Sequence, residues 1–363
     1  MRSGHRSPGK SRPARSRRQR RRQPRLIWPA LIGLAVAGAA AAVLANRRRG
    51  SRSQLGPLGP LGPSAAGGEP GESVRTTGAT AGAAAPAASE PGRLPEATQS
   101  WIAGPAGNLY LRDGGGDASG RSGPSDPSGH SPVLFVHGLG GNGGQWALQL
   151  DHLRRVRRAL AIDLRGHGES DPADDGDYGV AALAGDVAAA ADHCTLRRFV
   201  LVGHSLGAAV AIAYAARHPE RVAGLLLVDP NGDQTRIPKA QLAPFLEALR
   251  ADPRRELEGY FRQLTAGGDR EAARWVLEDL RQTAEEAIPA AVLGGVEFAP
   301  LPALARYGGP RLAVISDLNS LPYSLHKLVP ELPVELLRGT GHWLMMDRPE
   351  PFNRLLDQFL AAL

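Results

Sequence analysis

Phe199–Ala216 reads FVLVGHSLGAAVAIAYAA, and its pattern changes halfway from that of a strand to that of a helix. The first four residues are apolar and mostly β-branched or aromatic, whereas those from Ala208 onward are small and helix-forming. The intervening GHSLG must then be a tight turn from strand to helix, with Ser205 at its tip. Gly203 and Gly207 carry no side chain that would collide where the strand and the helix approach each other.

A serine at the tip of such a turn is a candidate nucleophile. The turn pushes the Ser205 hydroxyl out over the sheet edge, beside the free N–H groups and the positive dipole end of the helix, where a negatively charged oxygen would be stabilised. The bare pattern G-x-S-x-G occurs by chance in many proteins. Its position between a buried strand and a small-residue helix favours a catalytic function.

Three further segments, together with this turn, make the chain from Trp101 to Leu363 resemble the α/β-hydrolase superfamily. They are HGLGG at His137–Gly141, DLRGHGES at Asp163–Ser170, and Gly341-His342 near the C-terminus, and their order matches that of the family. The resemblance implies an α/β fold with a mostly parallel central sheet, helices on both faces and a helical lid. It also implies a serine hydrolase that needs no metal, nucleotide or organic cofactor.

The apolar pattern of this region independently predicts an α/β protein, because short strands alternate with helical stretches. The predicted strands are Trp101–Ala103, Asn108–Arg112, Val133–Val136, Ala159–Ile162, Phe199–Val202, Leu225–Val228, Leu312–Ile315 and Pro333–Leu337. Asp113–Ser131, rich in Gly, Ser and Asp, is interpreted as a long hairpin connection, and Pro349–Leu363 as a closing amphipathic helix.

Charged helical segments interrupt this alternation between Pro238 and about Ala305. Two of them are Ala240–Leu249 and Asp269–Ala287. The family resemblance implies that an insertion at this point (238–305) is a lid over the active site.

Ser205 needs a base within hydrogen-bond reach, since a serine hydroxyl is a poor nucleophile at neutral pH. His342 is the candidate general base and acid, because its loop follows the last predicted strand and emerges at the sheet edge where Ser205 lies. His204 and His167 are expected to shape their own turns.

The oxyanion hole implied by the resemblance consists of two backbone N–H groups, those of Leu139 and Leu206. The glycine-rich loop that contains Leu139 is not a phosphate-binding loop, because it lacks both a Gly-Lys-Ser/Thr ending and a G-x-G-x-x-G pattern. The residues expected to support the site are His137, Gly138, Gly203 and Gly207.

The acid of the catalytic triad has two candidates. The family usually carries it a few residues beyond the strand at Leu312–Ile315, where this chain has Asn319 and Ser320, with Asp317 slightly earlier. The family also permits an acid after the strand that follows the nucleophile helix, where Asp229 stands. Asp317 and Asp229 are therefore both retained.

One more aspartate, Asp163, resembles a family residue that organises a loop near the site, and a structural role is favoured for it over a catalytic one.

Basic residues are concentrated at the N-terminus of the chain. Of the 43 Lys and Arg among 363 residues, 15 lie in residues 1–52, which contain no acid, so the remainder has 28 basic against 36 acidic side chains. Residues 1–25 are predicted to be a disordered, Arg-rich cytoplasmic tail. The acidic remainder argues against a nucleic-acid partner.

Residues 26–46 are predicted to be a transmembrane anchor. Leu26–Ala45 contains no charge and is flanked by arginines, and twenty helical residues span a bilayer core. The arginines place the N-terminus in the cytoplasm and the hydrolase domain (99–363) on the extracytoplasmic side, beyond a Pro/Gly/Ala-rich linker (47–98). The alternative is a cleaved signal sequence and a secreted protein, because Val43-Leu44-Ala45 suits a signal peptidase.

The expected function is that of a membrane-anchored serine hydrolase acting on a small-molecule or lipid ester, or a thioester, through an acyl-enzyme on Ser205. The alternatives are a non-catalytic binding or scaffolding domain of the same fold, and a cofactor-free C–C hydrolase or perhydrolase. Cys194 is the single cysteine, which excludes an intrachain disulfide, and it is expected to be buried.

Overall fold

A computed structural model describes Met1 and residues 98–115 and 130–363. The predicted tail (1–25) beyond Met1, the apolar segment (26–46) and nearly all of the linker (47–98) lie outside the described residues, as does the middle of Asp113–Ser131. Within the described ranges, no helix combines the length and the apolarity needed to cross a membrane.

The described residues form one eight-stranded sheet. Its strands are Thr98–Gly104 (β1), Gly107–Gly114 (β2), Val133–Val136 (β3), Ala159–Ile162 (β4), Phe199–His204 (β5), Val222–Val228 (β6), Arg311–Ile315 (β7) and Val334–Leu336 (β8). Their order is β1-β2-β4-β3-β5-β6-β7-β8. The strands from β3 to β8 pair in parallel, while β2 is antiparallel to both β1 and β4. The predicted mostly parallel sheet is confirmed.

The connection after β2 is not a hairpin, so this prediction is wrong. In the sheet, β4 lies between β2 and β3, and β3 pairs with β4 and β5. The physical reason is burial in a parallel sheet: all four residues of β3 are buried, and both of its edges are filled by the parallel strands β4 and β5, which leaves no edge for the antiparallel partner of a hairpin.

Helices cover both faces of the sheet. They are Ala147–Leu153 (α1), Val180–His193 (α2), Leu206–Arg217 (α3), Lys239–Ala251 (α4), Pro253–Leu264 (α5), Arg270–Gln282 (α6), Ala287–Glu297 (α7), Pro300–Leu304 (α8), Leu325–Leu328 (α9), Leu344–Asp347 (α10) and Pro349–Ala361 (α11). The strand side chains alternate between two buried clusters, as β3 illustrates: Leu134 and Val136 belong to one and Val133 and Phe135 to the other.

The insertion between β6 and β7 contains α4 to α8. The helix predicted over Asp269–Ala287 ends earlier, at Gln282, and α7 begins after a short turn. Arg254 of α5 caps this end, because its guanidinium donates to the carbonyls of Leu280, Arg281 and Thr283.

Candidate active site

The turn after β5 holds Ser205 in a strained backbone conformation. Ser205 has φ 54° and ψ −115°, a region that residues with a side chain rarely occupy. Close packing enforces the turn, because a Cβ on Gly203 would overlap the carbonyl of Gly207, and a Cβ on Gly207 would overlap the carbonyls of Val136 and His137. Ser205 consequently stands between the end of β5 and the first residue of α3, as the sequence predicts.

His342 lies in the loop after β8, where it meets an aspartate. Its Nδ1 donates to Asp229 Oδ2 at 2.6 Å. A neutral imidazole that donates through Nδ1 keeps Nε2 as its proton acceptor. The loop backbone is fixed as well, since the His342 N–H donates to Leu264 O (2.9 Å) and its carbonyl accepts from His204 Nε2 (3.0 Å). His342 is thereby oriented as a base.

Asp229 follows β6 and is fully engaged as an acceptor. Besides His342, its carboxylate accepts from Ser316 N (2.9 Å), Ser316 Oγ (2.9 Å) and Asn319 Nδ2 (3.1 Å). Burial alone would raise the pKa of Asp229, but the hydrogen bond and charge of His342, with the bonds from Ser316, outweigh burial and lower that pKa. Asp229 therefore stays ionised at neutral pH and can hold the imidazole in one tautomer.

The other candidate acid, Asp317, has different partners. Its carboxylate accepts from Gly339 N at 3.3 Å and lies 3.5 Å from Arg338 Nη1. Both aspartates follow neighbouring parallel strands, β6 and β7, but Asp229 is the one that contacts His342. Asn319, at the usual acid position of the family, donates to Asp229 instead.

The loop after β3 and the start of α3 bring two backbone N–H groups into the same cavity as Ser205. Gly138, Leu139, Ser205 and Leu206 line this cavity together. A Cβ on Gly138 would lie 3.1 Å from Ser205 Cβ, so this loop approaches the serine closely. In the described part of the chain, the amides of Leu139 and Leu206 donate to no other residue. Both are available to a negatively charged oxygen.

Asp163 stabilises the loop after β3 through hydrogen bonds. Its fully buried carboxylate accepts from Gly143 N (2.6 Å) and from Arg112 Nη1 (2.5 Å). His137, at the start of the loop, accepts through Nε2 from Leu164 N (3.0 Å). These contacts fit the structural role expected for Asp163, because they tie the DLRGHGES segment to the loop after β3.

Three histidines around the site are buried and neutral. Burial lowers the pKa of His137 well below its usual value, lowers the pKa of His167, and lowers that of His204 to about 3. His204 carries its proton on Nε2, since this atom donates to the carbonyl of His342, and the two rings lie 4.6 Å apart. His204 therefore supports the His342 loop as well as its own turn.

These buried histidines predict acid lability. In the unfolded chain each takes up a proton near pH 6.5, whereas in the fold it does so at a lower pH, so the free energy of unfolding falls as the pH drops below about 6.5. The expected slope is about 1.4 kcal/mol per pH unit for each histidine. Guanidinium unfolding at pH 7.5, 6.5 and 5.5 measures it. His167→Asn should reduce the slope by about 1.4 kcal/mol per pH unit, the contribution of one proton. His193→Asn, at an exposed histidine, is the matched control and should leave the slope unchanged. An unchanged slope in His167→Asn would contradict the neutral burial of His167.

A cavity of about 390 Å³ lies above Ser205 and His342. Its lining is mostly apolar, and the insertion between β6 and β7 contributes Phe245, Leu257, Tyr260, Phe261, Ala291 and Val292. Asp279 of α6 joins the insertion to the segment that follows β3 by accepting from Asn142 Nδ2 (2.9 Å) and Gln145 Nε2 (2.8 Å). In residues 98–115 and 130–363, no group of His, Cys, Asp and Glu is arranged to hold a metal ion.

Asn231 contacts Ser205 and is not predicted from the sequence. The Ser205 hydroxyl donates to Asn231 Oδ1 at 2.9 Å, and no hydrogen bond within the described residues joins this hydroxyl to His342. Asn231 lies in DPNGD at Asp229–Asp233, a composition that is typical of a turn and conceals any further role. Its position beyond the end of β6, at the sheet edge that carries Ser205, is the signal that could have identified it.

Comparison with known proteins gives a consistent family. A protein-family model described as alpha/beta hydrolase fold matches residues 131–280 of the sequence. The dihydrolipoyllysine-residue acetyltransferase component of the acetoin cleaving system of Cupriavidus necator is 31% identical over 265 residues, which are 70% of this chain and 66% of that protein. This chain thus spans slightly less than two thirds of the length of that relative.

A second sequence relative and a solved structure are also similar to this chain. The 1-acylglycerol-3-phosphate O-acyltransferase ABHD5 of Rattus norvegicus is 30% identical over 279 residues, which are 64% of this chain and 77% of that protein. An esterase from Exiguobacterium antarcticum, EaEST, has the same fold with a TM-score of 0.62, covering 73% of this chain and 100% of its own at 17% identity. The chain, with its eight-stranded sheet and its serine turn after β5, belongs to the α/β-hydrolase family.

Proposed function

We propose that this protein is a serine hydrolase that cleaves ester-like substrates through an acyl-enzyme on Ser205. The observation that carries the proposal is the meeting, at one cavity, of a strained serine, the His342–Asp229 pair and the unpaired amides of Leu139 and Leu206. A nucleophile, an oriented base and two oxyanion donors are the parts that acyl transfer requires.

The proposed reaction has two halves. His342 Nε2 takes the hydroxyl proton as Ser205 Oγ attacks the ester carbonyl, and the Leu139 and Leu206 amides stabilise the resulting oxyanion. Collapse of this intermediate expels the alcohol, which receives the proton from His342. Water then attacks the acyl-enzyme by the same route and releases the acid. Asp229, ionised throughout, stabilises the imidazolium in both halves.

The cavity favours a small substrate with an apolar acyl group. A volume of about 390 Å³ accommodates a small molecule or part of a lipid, and most of the lining is hydrocarbon or aromatic. Three polar side chains in the same lining, Gln234, Arg236 and Gln241, offer partners to an ester or alcohol oxygen. A small-molecule or lipid ester, or a thioester, fits a cavity that is mostly apolar and has a few polar side chains.

Acyl transfer to an alcohol or thiol in place of water is a second candidate. It is favoured by the two sequence relatives, an acetyltransferase component and an O-acyltransferase by name. Both candidates use the same acyl-enzyme and differ in the acceptor alone.

Turnover of esters and covalent labelling test the proposal together. The full chain is expected to release p-nitrophenol from p-nitrophenyl esters, and a fluorophosphonate is expected to modify Ser205, as located by mass spectrometry. Free acid formed without an added acceptor supports hydrolysis, whereas a requirement for glycerol or a thiol supports acyl transfer. No turnover and no label would contradict both and favour the non-catalytic binding domain.

We also propose that residues 26–46 anchor the enzyme in a membrane, with the hydrolase domain on the extracytoplasmic side. The charge-free apolar run and the flanking arginines support this proposal. The full chain is expected to stay in the membrane fraction in alkaline carbonate, and deletion of residues 26–46 to release it. A secreted product with a shortened N-terminus would show instead that the segment is a cleaved signal.

A further inference from the structure

Asn231 and the loop after β3, which contains Leu139, reach Ser205 from opposite sides. In the sheet, β3 and β6 are the two neighbours of β5, whose end carries Ser205. Leu139 follows β3, whereas Asn231 follows β6, as does Asp229, the partner of His342. Asn231 therefore shares the His342 side of the nucleophile, from which a proton is exchanged during the reaction.

The segment that carries Asn231 is fixed on both sides of this residue. Asn319 Nδ2 donates to the carbonyl of the preceding proline (3.0 Å), and Asp233 N donates to Tyr323 O (2.9 Å). Gly232 has φ 76°, and a Cβ there would overlap the Tyr323 carbonyl. The Asn231 carboxamide is thus held against the nucleophile by its neighbours in the chain.

Acylation would remove the hydrogen that Asn231 accepts. In the free enzyme, the Ser205 hydroxyl donates to Asn231 Oδ1. In an acyl-enzyme, Ser205 Oγ is an ester oxygen without a hydrogen, so the Asn231 carbonyl loses its donor. A partly buried carbonyl without a partner is costly, and the nearest replacement is a water molecule on the His342 side.

We propose that Asn231 is a positioning residue for the water that deacylates Ser205, an inference that rests on the acyl-enzyme of the proposed function. One O–H of the water donates to Asn231 Oδ1 and the other to His342 Nε2, which leaves a lone pair for the acyl carbon. His342 takes the second proton as the new C–O bond forms. The C–Oγ bond then breaks, His342 returns the proton to Ser205 Oγ, and the carboxylic acid leaves.

The same contact has the opposite effect on the first half of the reaction. A hydroxyl has one hydrogen to donate, so Asn231 competes with His342 for the hydroxyl of Ser205. Loss of the Asn231 acceptor therefore leaves the Ser205 hydroxyl to donate to His342, which does not impair acylation. The deacylating water, in contrast, loses one of the two acceptors that orient it. A residue with a merely structural role would impair both halves alike.

Stopped-flow kinetics of the full chain with p-nitrophenyl acetate separate the two steps. Asn231→Leu, which has a similar volume and no acceptor, is expected to slow deacylation by about 10- to 100-fold and to leave acylation within about 3-fold of the original rate. The result is a burst that approaches one equivalent of p-nitrophenol per active site. Hydroxylamine, a stronger nucleophile, is expected to restore turnover.

Two further variants keep the test decisive. Asn231→Asp retains an acceptor oxygen and replaces the NH₂ group by a second acceptor oxygen that shares a negative charge, so it is expected to deacylate at least about 5-fold faster than Asn231→Leu. Gln263→Leu, the matched control, removes an exposed carboxamide of α5 that does not line the cavity, and it should not create a burst.

Two results would overturn the role of Asn231 while hydrolysis stands: acylation slowed as much as deacylation, or both rates unchanged in Asn231→Leu. A native chain that neither turns over esters nor labels at Ser205 would overturn the proposed function, and this inference with it.

Discussion

Ser205→Ala in the full chain is expected to lower kcat/KM for p-nitrophenyl esters by about 10⁴-fold or more, because the substitution removes the oxygen atom that is proposed to form the acyl-enzyme. His342, Asp229 and the oxyanion amides would remain in place, so substrate binding should change little. The measurement is steady-state turnover together with fluorophosphonate labelling, which should disappear. Activity within about 10-fold of the native rate would mean that the nucleophile is another group.

Ser205→Gly provides the matched comparison, because it removes both the nucleophile and the Cβ that makes the turn costly. Ser205 has φ 54° and ψ −115°, which glycine adopts with little strain and alanine does not. We expect Ser205→Gly to be as inactive as Ser205→Ala. Its free energy of unfolding in guanidinium should be higher by about 1 kcal/mol. Equal or lower resistance of Ser205→Gly would contradict the strain at this turn.

The sequence predicts the framework of this fold because strand burial and the strand-to-helix turn are local properties. Val133–Val136 and Ala159–Ile162 have the predicted bounds, since each is a short apolar run between polar residues. Ser205 is placed by the two glycines beside it, which only a tight turn requires. Pairing is not local, and this is why the position of β4 between β2 and β3 could not be read from the pattern.

Contacts between side chains at the sheet edge could not be predicted from the sequence either. Asp229 and Asp317 both follow parallel strands, and which of them reaches His342 depends on how two loops pack. Asn319 and Asn231 resemble ordinary loop residues, yet one donates to Asp229 and the other accepts from Ser205. Such roles arise from tertiary contacts between segments that lie far apart in the chain.

Asp229→Asn is expected to lower kcat by about 10³- to 10⁴-fold, whereas Asp317→Asn should stay within about 3-fold of the native enzyme. Asp229 accepts the His342 Nδ1 hydrogen at 2.6 Å, and an asparagine amide would turn an N–H toward it or force the other tautomer. Asp317 accepts instead from Gly339 N and lies near Arg338. Its substitution removes charge at the same sheet edge and leaves the imidazole in place.

The pair is informative because both substitutions are isosteric and remove one negative charge. Circular dichroism and guanidinium unfolding establish that each variant is folded, which matters because Asp229 also accepts from Ser316 and Asn319. If Asp317→Asn lost more activity than Asp229→Asn, the loop after β7 would have to rearrange when substrate binds, and the acid would stand at the place usual for the family. A loss confined to Asp229→Asn assigns the acid to the end of β6, where Ser316 and Asn319, on the loop that usually carries it, hold the carboxylate in position.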